Sequence, residues 1–154
     1  MQLHSDDLAE GEQIPLECAE PKAGGKNVLP QLSWSGVPRN AKSLALTVWD
    51  PDAPREGGYW HWLALDIPPE TTEVPHGGSL PEGCRELDND YGYKGYGGPC
   101  PPHDETHRYI FIIWALDVAT LDVPDDAKPA DVEKELGAHL IEAVKLIPVF
   151  TSTL

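Results

Sequence analysis

Cations are scarce in this chain. Eleven Lys and Arg stand against 26 Asp and Glu, for a formal net charge of -15 over 154 residues. A nucleic-acid binder needs cations to neutralise phosphates, so that class is excluded. Adsorption on anionic membranes is disfavoured for the same reason. No stretch approaches the ~20 apolar residues that span a bilayer. The opening MQLHSDDLAEGEQIP has no basic start followed by an apolar run, so it does not read as a secretory signal, and a cytoplasmic protein is expected. Cysteine is equally sparse. Cys18, Cys84 and Cys100 are odd in number and widely spaced, with no CxxC pair. This predicts reduced, unbridged thiols and no metal knuckle. There is no G-x-S-x-G, and Cys100 lies between two prolines rather than at a helix start, so no activated nucleophile is evident.

Turn formers, by contrast, are abundant: 16 Pro and 14 Gly. With an ordinary globular share of apolar residues, they favour many short strands in one domain spanning residues 1–154. Three segments read as strands: Ser43–Asp50 (SLALTVWD), ended by Pro51; Tyr59–Ile67 (YWHWLALDI), ended by Pro68; and His107–Val118 (HRYIFIIWALDV). The last is apolar on both faces and is expected at the centre of a covered sheet. Residues 70–106 are dense in Gly and Pro and predict a long loop region, which in a compact domain usually carries function. Val132, Leu136, Leu140, Ala143, Val144 and Ile147 fall on one helical stripe after Pro129. They predict a helix over residues 131–146, stopped before Pro148. The tail PVFTSTL reads as a closing strand. The expected fold is mainly β, with antiparallel sheets (a large central one and a smaller one) and one late peripheral helix.

Three clusters could carry chemistry. The first is Asp50-Pro51-Asp52-Ala53-Pro54 at a strand end, where two carboxylates two residues apart share a face if the chain stays extended. A plain Asx-type turn explains the same residues. The second is His61 in Tyr59-Trp60-His61-Trp62. Alternation puts His61 with Tyr59 on one face and Trp60 with Trp62 on the other. The third is the loop Gly97-Gly98-Pro99-Cys100-Pro101-Pro102, with His107-Arg108-Tyr109 after it. Its glycines allow backbone to approach a ligand, and His107 and Tyr109 share a face. Together the clusters could line one small polar pocket in which imidazoles and backbone N–H groups hold an oxyanion. The same residues could serve a hydrolase with a histidine base, or ligate a metal.

The blocks NVLPQLSWSGVP, DPDAP, GYWHW and YGGPCPPHDETHRYIF, in this order over residues 25–118, resemble the phosphatidylethanolamine-binding family, in its prokaryotic Raf-kinase-inhibitor-like branch. The resemblance implies a large antiparallel sheet with a smaller sheet and peripheral helices. It implies a pocket for phosphate, a phosphoryl head group or a small carboxylate, formed by Asp50, Asp52, His61, Gly98, Pro99, His107 and Tyr109, with Pro54 and Trp60 shaping its wall. No cofactor or bound metal is implied. A small anionic or phosphorylated ligand is the expected partner. Regulation or inhibition of a protein partner and a homodimer are the further expectations, and a hydrolase using the Asp/His pocket is the alternative. His103-Asp104 stands where members often carry Lys-Gly, which exchanges a cation for an imidazole and a carboxylate near the pocket mouth.

Overall fold

A computed structural model describes residues 1–154. Its strands are β1 (Gln2–His4), β2 (Leu32–Ser35), β3 (Ser43–Asp50), β4 (Tyr59–Ile67), β5 (Glu73–Val74), β6 (Arg85–Glu86), β7 (Thr106–Arg108), β8 (Ile110–Leu116), β9 (Leu140–Leu146) and β10 (Val149–Thr151), with helix α1 (Pro129–Ala138) before β9. All strand pairs are antiparallel. The central sheet has the order β6-β4-β3-β8-β9, and two small sheets are β1-β2-β5 and β10-β7. The mainly β, antiparallel architecture with a single α-helix is therefore as expected.

The central sheet is covered on both faces, which is why β3, β4 and β8 are apolar almost throughout. Leu44, Leu46 and Val48 of β3 and Phe111 and Ile113 of β8 pack toward Leu32, Trp34 and Val74 of the small sheet. The opposite face carries Ala45, Leu63, Leu65, Ile112 and Trp114, and is capped by Val132 and Leu136 of α1. Each such side chain contributes roughly 1.5–3 kcal/mol when fully buried, so two leucine-sized anchors suffice to dock a short helix.

Two expectations are corrected. The helix over residues 131–146 ends at Ala138, and the remainder is strand β9, paired along β8 with Ile113 opposite Val144 and Phe111 opposite Leu146. Gly137 weakens the last helical turn, and the β-branched Ile141 and Val144 suit an edge strand whose alternate side chains reach the two cores. The single strand over residues 107–118 is two strands in different sheets. The chain leaves the central sheet at Tyr109, whose N–H donates to the Pro148 carbonyl (3.0 Å), and β7 then pairs with β10. No disulfide joins Cys18, Cys84 or Cys100.

Candidate functional site

A local irregularity of β4 builds the site. In the β3–β4 ladder Trp49 lies opposite Trp60 and Val48 opposite Trp62, leaving His61 as an extra residue without a partner on β3. Such a bulge re-aims a side chain and reverses the parity of the residues beyond it. Trp60 therefore stacks on Trp49 (ring centroids 5.7 Å apart) on the helix-covered face, while Trp62 packs into the other core. The alternation expected for Trp60 and Trp62 fails here, and Trp60 does not shape the pocket wall. His61 is instead turned with Tyr59 into a cavity of about 390 Å³ at the end of the sheet. That size suits a small molecule.

Asp50 closes β3 at this cavity. Its Oδ1 accepts from the Asp52 N–H (2.8 Å), and its Oδ2 accepts from Nδ1 of His107 (2.6 Å), both side chains being buried. Asp52 does not join them. Its carboxylate faces Arg108, accepting from the backbone N–H (2.9 Å), Nε (3.0 Å) and Nη2 (2.8 Å). Those bonds hold the Asp52 carboxyl below its ordinary range. The Asx turn compacts the chain after Asp50, so the two carboxylates point to different places rather than along one extended face. Asp50, Asp52, His61 and His107 accordingly do not converge as a metal-ligating group.

Nδ1 of His61 lies 2.8 Å from the carbonyl oxygen of Gly97, and the Gly97 N–H donates to the His61 carbonyl (2.9 Å). The ring stands edge-on to Tyr91 (5.4 Å) and Tyr109 (5.2 Å). Burial pushes the His61 pKa below its ordinary value, and the nearby carbonyls and carboxylates only partly oppose this. Tyr109 is buried on the cavity wall, and its hydroxyl has no hydrogen-bond partner in the chain. Burial also raises its pKa, so the hydroxyl keeps its proton.

Gly98 and Pro99 are buried behind the wall, not on it. The Gly98 N–H donates to Oδ1 of Asn27 (2.8 Å), its carbonyl accepts from the Tyr91 hydroxyl (2.7 Å), and the Pro99 carbonyl accepts from the Glu20 N–H (3.0 Å). The close approach that Gly98 permits is to the protein's own backbone: a Cβ there would overlap the Cys18 carbonyl. Of the nine expected site residues, Asp50, Pro54, His61, His107 and Tyr109 line the cavity; Gly98 and Pro99 support it; Asp52 and Trp60 do neither.

Sequence reasoning missed Lys22 and Arg55, the two cations on the lining, together with Tyr91. Arg55 sits over the Tyr59 ring at 5.2 Å from its centroid and stands directly after DPDAP, which was a usable signal. Lys22 carries none, because its segment reaches the site through long-range contacts of residues 18–27 with the Tyr96–Pro99 loop, which no local pattern marks. In a chain of net charge -15, a cavity whose single carboxylate is already engaged and whose lining holds two cations is set apart from the rest of the molecule.

Comparison with known proteins identifies the family. The family model for phosphatidylethanolamine-binding protein matches residues 4–151. The UPF0098 proteins YbhB and YbcL of Escherichia coli are 37% and 39% identical, each over 97% or more of this chain and over 100% and 86% of their own lengths. The crystal structure of YbcL, described as a new member of the mammalian PEBP family, superposes with a TM-score of 0.91 at 39% identity, covering 97% of both chains. A PEBP homologue from Chlamydia trachomatis superposes with a TM-score of 0.85 at 34% identity over 98% of this chain and 97% of its own. The family match, the fold and the nearly full-length relatives coincide, and the chain belongs to the phosphatidylethanolamine-binding protein family, among its prokaryotic members.

Proposed function

We propose that the cavity binds a small oxyanion, a phosphoryl group or a compact carboxylate, and that binding rather than bond cleavage is its task. The observation that carries this reading is the Tyr109 hydroxyl. It is a buried donor without a partner, beside His61 and His107, and leaving such a group unmet costs about 1–3 kcal/mol. A bound oxygen would satisfy it. His107 is bonded to Asp50 through Nδ1, its Nε2 lies 3.6 Å from Oε1 of the exposed Glu105, and Lys22 and Arg55 add positive charge at the lining. A hydrolytic reading finds little to work with. No Ser or Thr lines the cavity, and the Cys100 thiol is raised in pKa by burial and by Glu20, the wrong direction for a nucleophile. Regulation of a protein partner through the bound ligand, and a cytoplasmic location in keeping with three unbridged thiols, go with this reading.

The test is calorimetric titration of inorganic phosphate and phosphoethanolamine into the wild type and His107→Ala. A lost charge-assisted bond should weaken binding by about 1.5–3 kcal/mol, on the order of ten- to a hundredfold. Absence of binding to the wild type, or equal affinity of the two proteins, would sink the proposal.

A further inference from the structure

The two histidines of the cavity are wired differently, and we infer from this that the site selects oxyanions that still carry a proton: phosphomonoesters or phosphate presenting a P–O–H, in preference to phosphodiesters, sulfate and carboxylates, whose oxygens only accept. This rests on the anion-binding reading above and specifies the class of anion.

A carbonyl oxygen only accepts hydrogen bonds, so the 2.8 Å contact between His61 Nδ1 and the Gly97 carbonyl places the ring hydrogen on Nδ1. In the neutral ring, Nε2 is then a lone pair, and nothing in the chain donates to it. The ring cannot readily flip. The bulge, the second backbone bond to Gly97 and the edge-on rings of Tyr91 and Tyr109 hold it. The groups facing His61 are Tyr59 on its own strand, Tyr91 and the carbonyls of Gly97 and Gly98 on the loop, Tyr109 between β7 and β8, and, more distantly, Asp50 and Asp90. Neither carboxylate forms an ion pair with it. Asp50 is engaged by His107 and the Asp52 N–H, and Asp90 accepts from the Trp60 N–H (2.7 Å). Burial dominates and favours the neutral ring.

His107 is the opposite case. It has the carboxylate of Asp50 on Nδ1 at 2.6 Å and Oε1 of Glu105 at 3.6 Å from Nε2, where His61 has only a backbone carbonyl. The cavity therefore offers an acceptor held in place by the fold, His61 Nε2, among donors: the Tyr109 hydroxyl and the cations Lys22 and Arg55. An anion of bare oxygens must set a lone pair against that of His61. A P–O–H donates its hydrogen bond to His61 and keeps its other oxygens for Tyr109 and the cations Lys22 and Arg55. Phosphomonoesters lose this second proton with a pKa near ~6, so the competent form is present at and below neutral pH.

Methyl phosphate, dimethyl phosphate, sulfate and acetate are the probes, titrated into the intact chain from mildly acid to mildly basic pH. Sulfate does not titrate in this range, so its profile reports the protein's own groups. Relative to sulfate, methyl phosphate should weaken as pH rises through ~6, in step with loss of its monoanion. The other three should bind about tenfold or more weakly than methyl phosphate at acid pH. His61→Gln, whose amide can turn a donor to the ligand, should narrow the gap between monoester and diester. Should that variant fail to fold, nitrogen-15 NMR of labelled histidine in the wild type decides: His61 should remain the neutral Nδ1–H tautomer with and without methyl phosphate. Equal affinity for all four probes, or an imidazolium at His61, overturns the selectivity while leaving the anion site standing. Failure of every probe to bind removes the anion site itself.

Discussion

Nδ1 of His107 and Oδ2 of Asp50 meet across 2.6 Å with both side chains 4% exposed, joining the last residue of β3 to the short strand β7 in a different sheet. A hydrogen bond to a charged group contributes about 1.5–3 kcal/mol, and a buried one is costly to break. Asp50→Asn should therefore lower the unfolding free energy by an amount in that range, read as a lower urea midpoint at constant slope. It should also weaken phosphate binding, since an anion at Nε2 would meet a ring with no carboxylate behind it. A variant as stable as the wild type would show that the pair does not hold β7 in place.

Asp52 should behave otherwise although it is only two residues away. It pairs with the exposed Arg108 outside the cavity, so Asp52→Asn should leave phosphate affinity unchanged. Its carboxyl is held low by Arg108. The pair's contribution to stability is thus present above the ordinary carboxylate pKa and lost as pH falls through the lower folded value. Unfolding curves of wild type and variant should differ near neutrality and converge in strong acid. Loss of phosphate affinity in Asp52→Asn would return Asp52 to the site.

Much of the fold was readable in the sequence, and the failures have physical causes. Ser43–Asp50 and Tyr59–Ile67 are strands at the expected bounds because proline comes after each and both runs are β-rich. The switch of sheets at Tyr109 left no mark, since an apolar run looks the same whether or not its partner changes. Residues 140–146 fit a helical stripe in sequence, with Glu142 and Lys145 three apart, and pairing with the free edge of β8 overrode it. The bulge at His61 depends on ladder register, which no local pattern encodes. His61, His107, Asp50 and Tyr109 were still found together, because strand ends feeding one stiff loop have few places to meet.

Glycine positions give a matched pair of stability tests. A Cβ on Gly98 would overlap the Cys18 carbonyl and the Ala19 backbone, neither of which can give way as a flexible side chain could. Gly98→Ala should cost about 1–3 kcal/mol or more and distort the cavity wall. At Gly137, in the last turn of α1, a Cβ meets nothing within 4 Å. Gly137→Ala should stabilise by roughly 0.5–1 kcal/mol and leave binding untouched. Thermal or urea unfolding of the two variants tests both, and a harmless Gly98→Ala would mean the loop can withdraw from residues 18–20.

The three thiols supply a footprint of the cavity within the native chain. Cys18 is fully buried, and burial pushes its pKa up to about 12; Cys84 and Cys100 are half-buried and also raised, chiefly by burial. Alkylation proceeds through the thiolate, so all three should react slowly with iodoacetamide at neutral pH. The rates of Cys84 and Cys100 should climb only at higher pH than for a free thiol. Cys18 should stay unmodified until the chain unfolds. Cys100 lines the cavity, whereas Cys84 lines a separate groove beside β6. Saturation with a phosphomonoester should slow alkylation of Cys100 and leave that of Cys84 unchanged, as tracked by peptide mass spectrometry. The comparison is internal, so a general tightening of the fold, which would slow both, is told apart from occupancy of the site. If Cys100 reacts at the same rate with and without saturating ligand, the anion does not sit in this cavity.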